Sequence, residues 1–105
     1  MTDKIVVLST AGSREEAGRI AQALVERKLA ACVNVTGPIR SVYRWKGTVE
    51  GAEEFLLLIK TTRAAFPRVR EAIKELHSYE LPECIALAVE DGSEPYLSWL
   101  AENVE

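Results

Sequence analysis

Three stretches of this chain are apolar at consecutive positions rather than at alternate ones: Ile5 to Leu8, Phe55 to Ile59 and Cys84 to Val89. In an extended strand successive side chains point to opposite faces. Ile5 and Val7 therefore oppose Val6 and Leu8, Phe55, Leu57 and Ile59 oppose Leu56 and Leu58, and Ile85, Leu87 and Val89 oppose Cys84, Ala86 and Ala88. A sheet with helices on one face only reads as alternating apolar and polar. Strands patterned like these need apolar cover on both faces, and any fold for the chain must supply it.

The remaining signals order the elements. Lys4 to Thr10 is a β-branched run that stops at Ala11-Gly12, as a first strand does. Ser13 and Glu16 have the spacing of a capping box, and Ala17, Ile20, Ala21, Leu24 and Val25 follow a helical stripe that ends near Lys28. Ala31 to Val35 starts a second strand. It is broken at Gly37-Pro38, by a bulge or an edge position, and resumes from Ile39 to Lys46. Gly47 marks a turn, and Val49 to Lys60 returns as a third strand. Thr62 to Leu76 reads as a second helix with Pro67 in its first turn and an apolar stripe of Phe66, Val69, Ile73 and Leu76. Pro82 ends helical structure ahead of a fourth strand, Cys84 to Glu90. A short C-terminal helix opens at Ser93-Glu94-Pro95.

The order β-α-β-β-α-β with a tail helix is the split-βαβ pattern of an α+β, ferredoxin-like sandwich, here one domain over residues 1–105. Its hairpin is overlong. Residues 31–46 would span about 50 Å if extended, against a radius of gyration of about 13 Å for a compact domain of this size. The second and third strands should bend or project as a long β2–β3 hairpin. The helices cover one sheet face and the tail helix only part of the other, so self-association is the economical cover.

A net charge of −3, from 16 acids against 13 bases, gives no general grip on nucleic acid or anionic lipid. No apolar run reaches the length of a membrane span, and Met1-Thr2-Asp3-Lys4 has no secretory pattern, so a cytoplasmic location is expected. Cys32 and Cys84 sit in apolar strand-like runs and read as buried free thiols.

Groups that titrate or bind cations concentrate in Leu76-His77-Ser78-Tyr79-Glu80-Leu81-Pro82-Glu83, which holds the one histidine. His77 reads equally as a favourable group at a helix C-terminus. Asn34, Glu53, Lys60, His77, Tyr79 and Glu80 stand beside apolar strands and line either a cleft between subunits or buried hydrogen-bonded pairs. Tyr43 and Trp45 share one hairpin face, opposite Arg40, Arg44 and Lys46, and read as interface anchors. Basic residues among aromatics on this fold resemble an RNA-binding surface, but the first and third strands are aliphatic and offer no stacking platform. Arg14 and Asn34 are the pair an acylphosphatase-like hydrolase would need at the first helix N-terminus; Ser13 there is explained by capping alone.

Five motifs in register resemble the CutA, or divalent-cation tolerance, family. They are Leu29-Ala30-Ala31-Cys32-Val33-Asn34, Ser41-x-Tyr43-x-Trp45-x-Gly47, Lys60-Thr61, His77-Ser78-Tyr79-Glu80-Leu81-Pro82-Glu83 and Tyr96-Leu97-Ser98-Trp99. The resemblance implies a cytoplasmic homotrimer similar in architecture to the PII signalling proteins. It implies tolerance of divalent metals, copper especially, without enzymatic turnover. A PII-like small-ligand regulator is the alternative. His77, with Glu80 and Glu83 nearby, is the metal-ligand set carried over. Ser9 and Leu76 stand where some members of that family place a cysteine and a second histidine. One imidazole with carboxylates is a poor copper site unless another subunit completes it.

Overall fold

The computed structural model describes residues 2–105. Its elements follow the expected order: β1 (Lys4–Ala11), α1 (Arg14–Glu26), β2 (Cys32–Trp45), β3 (Thr48–Thr62), α2 (Phe66–Leu76), β4 (Ile85–Ala88) and α3 (Glu94–Glu102). The sheet order is β2-β3-β1-β4, with every neighbouring pair antiparallel. The architecture is the α+β, ferredoxin-like arrangement with a long hairpin and a short C-terminal helix.

Register decides which side chain faces where. Ile5, Val7, Ala11, Leu57 and Ile59 point under α1 and α2, where they meet Ala17, Ile20, Leu24, Val69 and Ile73 in one buried cluster. The opposite face carries rungs read directly from the pairing. Cys32, Lys60, Val6 and Leu87 form one, and Asn34, Leu58, Leu8 and Ile85 the next. Thr36, Leu56 and Thr10 form the third. Helix α3 packs against β3 and buries Leu100, yet Ile85 and Leu87 remain half exposed. The second apolar face expected from the sequence is present, and much of it is open.

Strands β2 and β3 form the projecting hairpin. The molecule measures 44 × 25 × 23 Å, and its long axis is set by these two strands. The hairpin ends in a two-residue turn at Lys46 and Gly47, both at positive φ (49° and 82°), which suits the strand twist. Part-way along, the register shifts between Thr36 and Ile39 at a bulge containing Gly37-Pro38. β2 is also an edge strand, so proline costs no ladder bond to a further neighbour.

Three boundaries differ from the sequence reading. β3 runs on to Thr62 because Lys4 pairs with it, and a turn follows in which Thr62 Oγ1 accepts from the Ala65 N–H at 3.3 Å. Helix α2 therefore begins at Phe66 rather than Thr62. α1 ends at Glu26, short of Lys28, whose φ of 59° is left-handed. β4 covers only Ile85–Ala88, although Val89 N–H still donates to Lys4 O at 3.1 Å.

Gly37 is the one bulge residue whose lack of a side chain is spatially required. A Cβ there would lie 2.8 Å from Phe55 Cδ2 and 3.1 Å from Glu54 O. Gly37→Ala is expected to destabilise the fold by about 1–3 kcal/mol, read as a lower denaturation midpoint in urea. An unchanged midpoint would show that the bulge tolerates a side chain.

Candidate functional site

Residues 77–83 leave α2 and run across the end of β1 before entering β4, and three buried polar contacts fix their path. His77 caps α2, with its N–H donating to Ile73 O at 3.0 Å. Its ring is fully buried. Nε2 lies 2.6 Å from Thr10 O, and a carbonyl only accepts, so Nε2 carries the proton. Nδ1 then accepts from the Tyr79 N–H at 3.1 Å. Both ring nitrogens are used.

Glu16 supplies the second contact. Its own N–H donates to Ser13 Oγ at 3.1 Å, as the capping box requires. Its carboxylate instead leaves the helix and accepts the Ser78 N–H at 2.8 Å. Burial by itself would raise the pKa of Glu16. The hydrogen bonds from Ser78 outweigh it, with the His77 ring and the Gly12 amide adding to them, and the carboxyl titrates below its ordinary value.

The third contact is the Tyr79 hydroxyl, which donates to Glu54 Oε2 at 2.8 Å and lies over Gly12. Burial, then the bond to Glu54, push the phenol well above its ordinary pKa, so it stays a donor. Glu54 is only 7 % exposed. Its other oxygen, Oε1, has no hydrogen-bond or ion-pair partner among the described residues.

Between the hairpin and residues 79–83 lies a groove of about 730 Å³, with Thr10 and Glu54 at its base. Tyr43, Arg44, Trp45 and Glu50 border it on the hairpin side, and Tyr79, Glu80, Leu81, Pro82 and Glu83 on the other. The structure thus brings Tyr43, Trp45, Tyr79, Glu80 and Glu83 together. His77 stands behind this wall rather than in it.

Asn34, Lys60 and Glu53 are elsewhere. Asn34 Oδ1 accepts from Lys60 Nζ at 2.6 Å on the open sheet face, with Cys32 Sγ 3.9 Å away. Lys60 is six residues along β3 from Glu54, about 20 Å in a strand. Glu53 is exposed and pairs across the hairpin with Arg40. The β3 carboxylate that borders the groove is its neighbour Glu54, which the sequence reading missed. Counting back by twos from Lys60, Leu58 and Leu56 would have placed Glu54 on the open face.

The hydrolase pair does not form a cradle. Arg14 stacks on Phe55, 4.8 Å from the ring centroid, whereas Asn34 belongs to the opposite face of the sheet. Cys32 and Cys84 are free thiols, each partly buried, and burial raises the pKa of Cys84.

The model of the CutA1 divalent ion tolerance protein family matches residues 5–103. The chain belongs to the CutA1 family. It is 52 % identical over 98 residues to the divalent-cation tolerance protein CutA of Thermus thermophilus, covering 93 % of this chain and 95 % of that one. To the Archaeoglobus fulgidus protein of the same name it is 47 % identical over 96 residues, 91 % of this chain and 93 % of the other. The crystal structure of CutA from Xylella fastidiosa superposes with a TM-score of 0.96 at 36 % identity, covering 99 % of this chain and all of that one.

The residues around His77 offer a resident copper ion no ready ligand set. Both His77 nitrogens are engaged, and among the described residues no group of three His, Cys, Asp or Glu side chains is arranged to hold a metal. A preformed copper centre does not fit this CutA1-family protomer.

The depressed pKa of Glu16 makes a pH-dependent contribution of defined sign. A carboxylate that titrates lower when folded stabilises the fold above its unfolded pKa, and the stability is lost as pH falls through the folded value. Glu16→Gln is expected to cost about 1.5–3 kcal/mol at neutral pH. The deficit should shrink as pH falls below the ordinary carboxylate value of 4.5. Urea midpoints of both proteins at pH 7, 5 and 3 measure this, and a deficit independent of pH would contradict it.

Proposed function

We propose that this CutA1-family chain acts as a cytoplasmic, homotrimeric divalent-cation tolerance protein without enzymatic turnover. The observation that carries the assembly is the open sheet face. Val6, Leu8, Leu56, Leu58, Ile85 and Leu87 share it, and two of them are half exposed in one protomer. Apolar surface of this kind is covered in a stable assembly.

The sheet edges favour a ring. β2 lies at one edge and β4 at the other, and neither has an outer partner. A two-fold dimer joined through one kind of edge leaves the second bare. Head-to-tail pairing of β2 with a neighbour's β4 uses both edges and closes a cyclic oligomer. The number three follows the resemblance to the CutA family. No helix is long and apolar enough to cross a membrane.

The relatives' names supply the cation role, and the geometry limits how this protomer takes part in it. His77 offers Nδ1 to a metal only by giving up the Tyr79 N–H, while Glu80 and Glu83 are exposed beyond it. Copper contact through His77, Glu80 and Glu83 is therefore a competition with the loop's own hydrogen bond. The same groove supports the second reading, a PII-like regulator that takes a small ligand.

Sedimentation equilibrium at micromolar protein is expected to give three times 11.6 kDa. A folded monomer at that concentration would overturn the assembly. Calorimetric titration of Cu²⁺ at neutral pH is expected to show weak binding to the wild type that His77→Ala lacks. Equal binding by both proteins would put copper elsewhere.

A further inference from the structure

On the helix side of the sheet a second, smaller groove of about 230 Å³ runs between α1 and the edge strand β2. Gly18, Ala21, Gln22, Val25, Glu26 and Val33 line it. Val25 is 42 % exposed, and a Cβ at Gly18 would meet nothing within 4 Å. Glu26 stands in the last turn of α1, where no basic residue accompanies it and the helix dipole disfavours an acid. It accepts from Gln22 Nε2 at 2.9 Å but has no cationic partner among the described residues. The flank of α2 that faces β4 has the opposite charge. Arg70 lies over Phe66, 5.6 Å from the ring centroid, and its charge reaches Cys84, the residue before β4. Lys74 follows one turn along the same flank. Both are exposed, and neither has an ion-pair partner among the described residues.

We propose that in the assembly the Arg70–Lys74 flank of one protomer's α2 seats in the α1–β2 groove of its neighbour, with Arg70 opposite the neighbour's Glu26 and its methylenes over the neighbour's Val25. Strand direction alternates from β2 through β3 and β1 to β4. A neighbour's β4 laid beside β2 therefore continues one antiparallel sheet, and it brings its α2 flank alongside α1. The seam rests on the head-to-tail ring proposed above. It adds to that ring a second contact surface, on the side of the sheet opposite the open apolar face.

Charge decides where along β2 the neighbour sits. The bulge divides β2 into residues 32–36 and 39–45, and either stretch is long enough for the four residues of β4. On the helix side of the second stretch stand Arg40, Val42 and Arg44. Arg70 and Lys74 brought against Arg40 and Arg44 would set like charges together, which is costly. Beside the first stretch they meet Glu26 and an apolar groove. Direction sets the pairing within the seam. α1 follows β1 and α2 follows β3, strands that run antiparallel, so the two helices run in opposite senses. The last turn of α1 then meets the first turns of the neighbour's α2. This puts Glu26 near Arg70, and Gly18 near the stem of Lys74.

Dissociation of the assembled protein in urea, followed by sedimentation velocity at micromolar concentration, tests the seam. Gly18→Gln is the discriminating variant. It replaces a poor helix former with a good one, and its Cβ meets no atom of its own protomer within 4 Å, so a lone protomer would gain. In the seam the same side chain lies under the neighbour's α2, and the urea midpoint of dissociation is expected to fall. Glu26→Arg and Arg70→Glu should each lower that midpoint, and the double variant should recover part of the loss. Glu71→Arg, turned about 100° from Arg70 on the exposed side of α2, should leave it unchanged. An assembly whose midpoint is unmoved or raised by Gly18→Gln would overturn the seam and leave the ring standing. Charge reversals that the double variant does not relieve would do the same. A folded monomeric wild type would remove the ring and the seam together.

Discussion

Strand β3 carries two ladders at once, and the rest of the molecule is arranged around that fact. It pairs with β1 from Phe55 to Thr62 and with β2 from Thr48 to Lys60. A slip of one residue would turn Leu57 and Ile59 out of the helix-covered core and bring Leu56, Leu58 and Lys60 into it. The hydrophobic demand of α1 and α2 therefore fixes the register. The same register carries Glu54 to the open face at the base of the groove. Packing on one side of the sheet thus determines the chemistry on the other.

The open face has two characters. Near β4 and β1 it is aliphatic, and towards β2 it becomes polar through Cys32, Asn34 and Lys60. The Lys60 Nζ–Asn34 Oδ1 bond of 2.6 Å ties adjacent strands across this polar margin. A partner surface that covered the face would gain from the aliphatic part and meet a hydrogen-bonded pair at the margin. Burying that pair is tolerable only with its bonds kept, which restricts how a second copy can sit.

Much of the fold was legible because its signals are local and repeated. Consecutive apolar residues marked β1, β3 and β4, and Ser13 marked the start of α1. Boundaries were less legible because pairing set them: Thr62 has helix-neutral chemistry but is held in β3 by Lys4. The site was partly legible. Period two could have separated Glu54 from Glu53, yet the bulge at Thr36/Ile39 obscured the counting from the β2 side. His77 was found as a titratable group, but nothing in its neighbours in sequence shows that Thr10 O and the Tyr79 N–H occupy its nitrogens. The first comes from the crossing of β1 with the 77–83 segment, a contact separated by 67 residues, and the second from the turn that the segment makes there, two residues on.

Two buried carboxylates hold residues 77–83 from opposite sides, and their difference gives the segment its character. Glu16 receives the Ser78 N–H at the first turn of α1, where the helix dipole also favours negative charge. It is a satisfied anion and serves as an anchor. Glu54 is held at one oxygen by the Tyr79 phenol and borders the groove with the rest of its carboxylate. Tyr79 and His77 are joined through the Tyr79 N–H and by ring centroids 4.6 Å apart. The anchored end of the segment is thereby coupled to the end that lines the groove. The position of the Tyr79 hydroxyl, and through it the orientation of Glu54, rests on contacts that lie behind the groove wall.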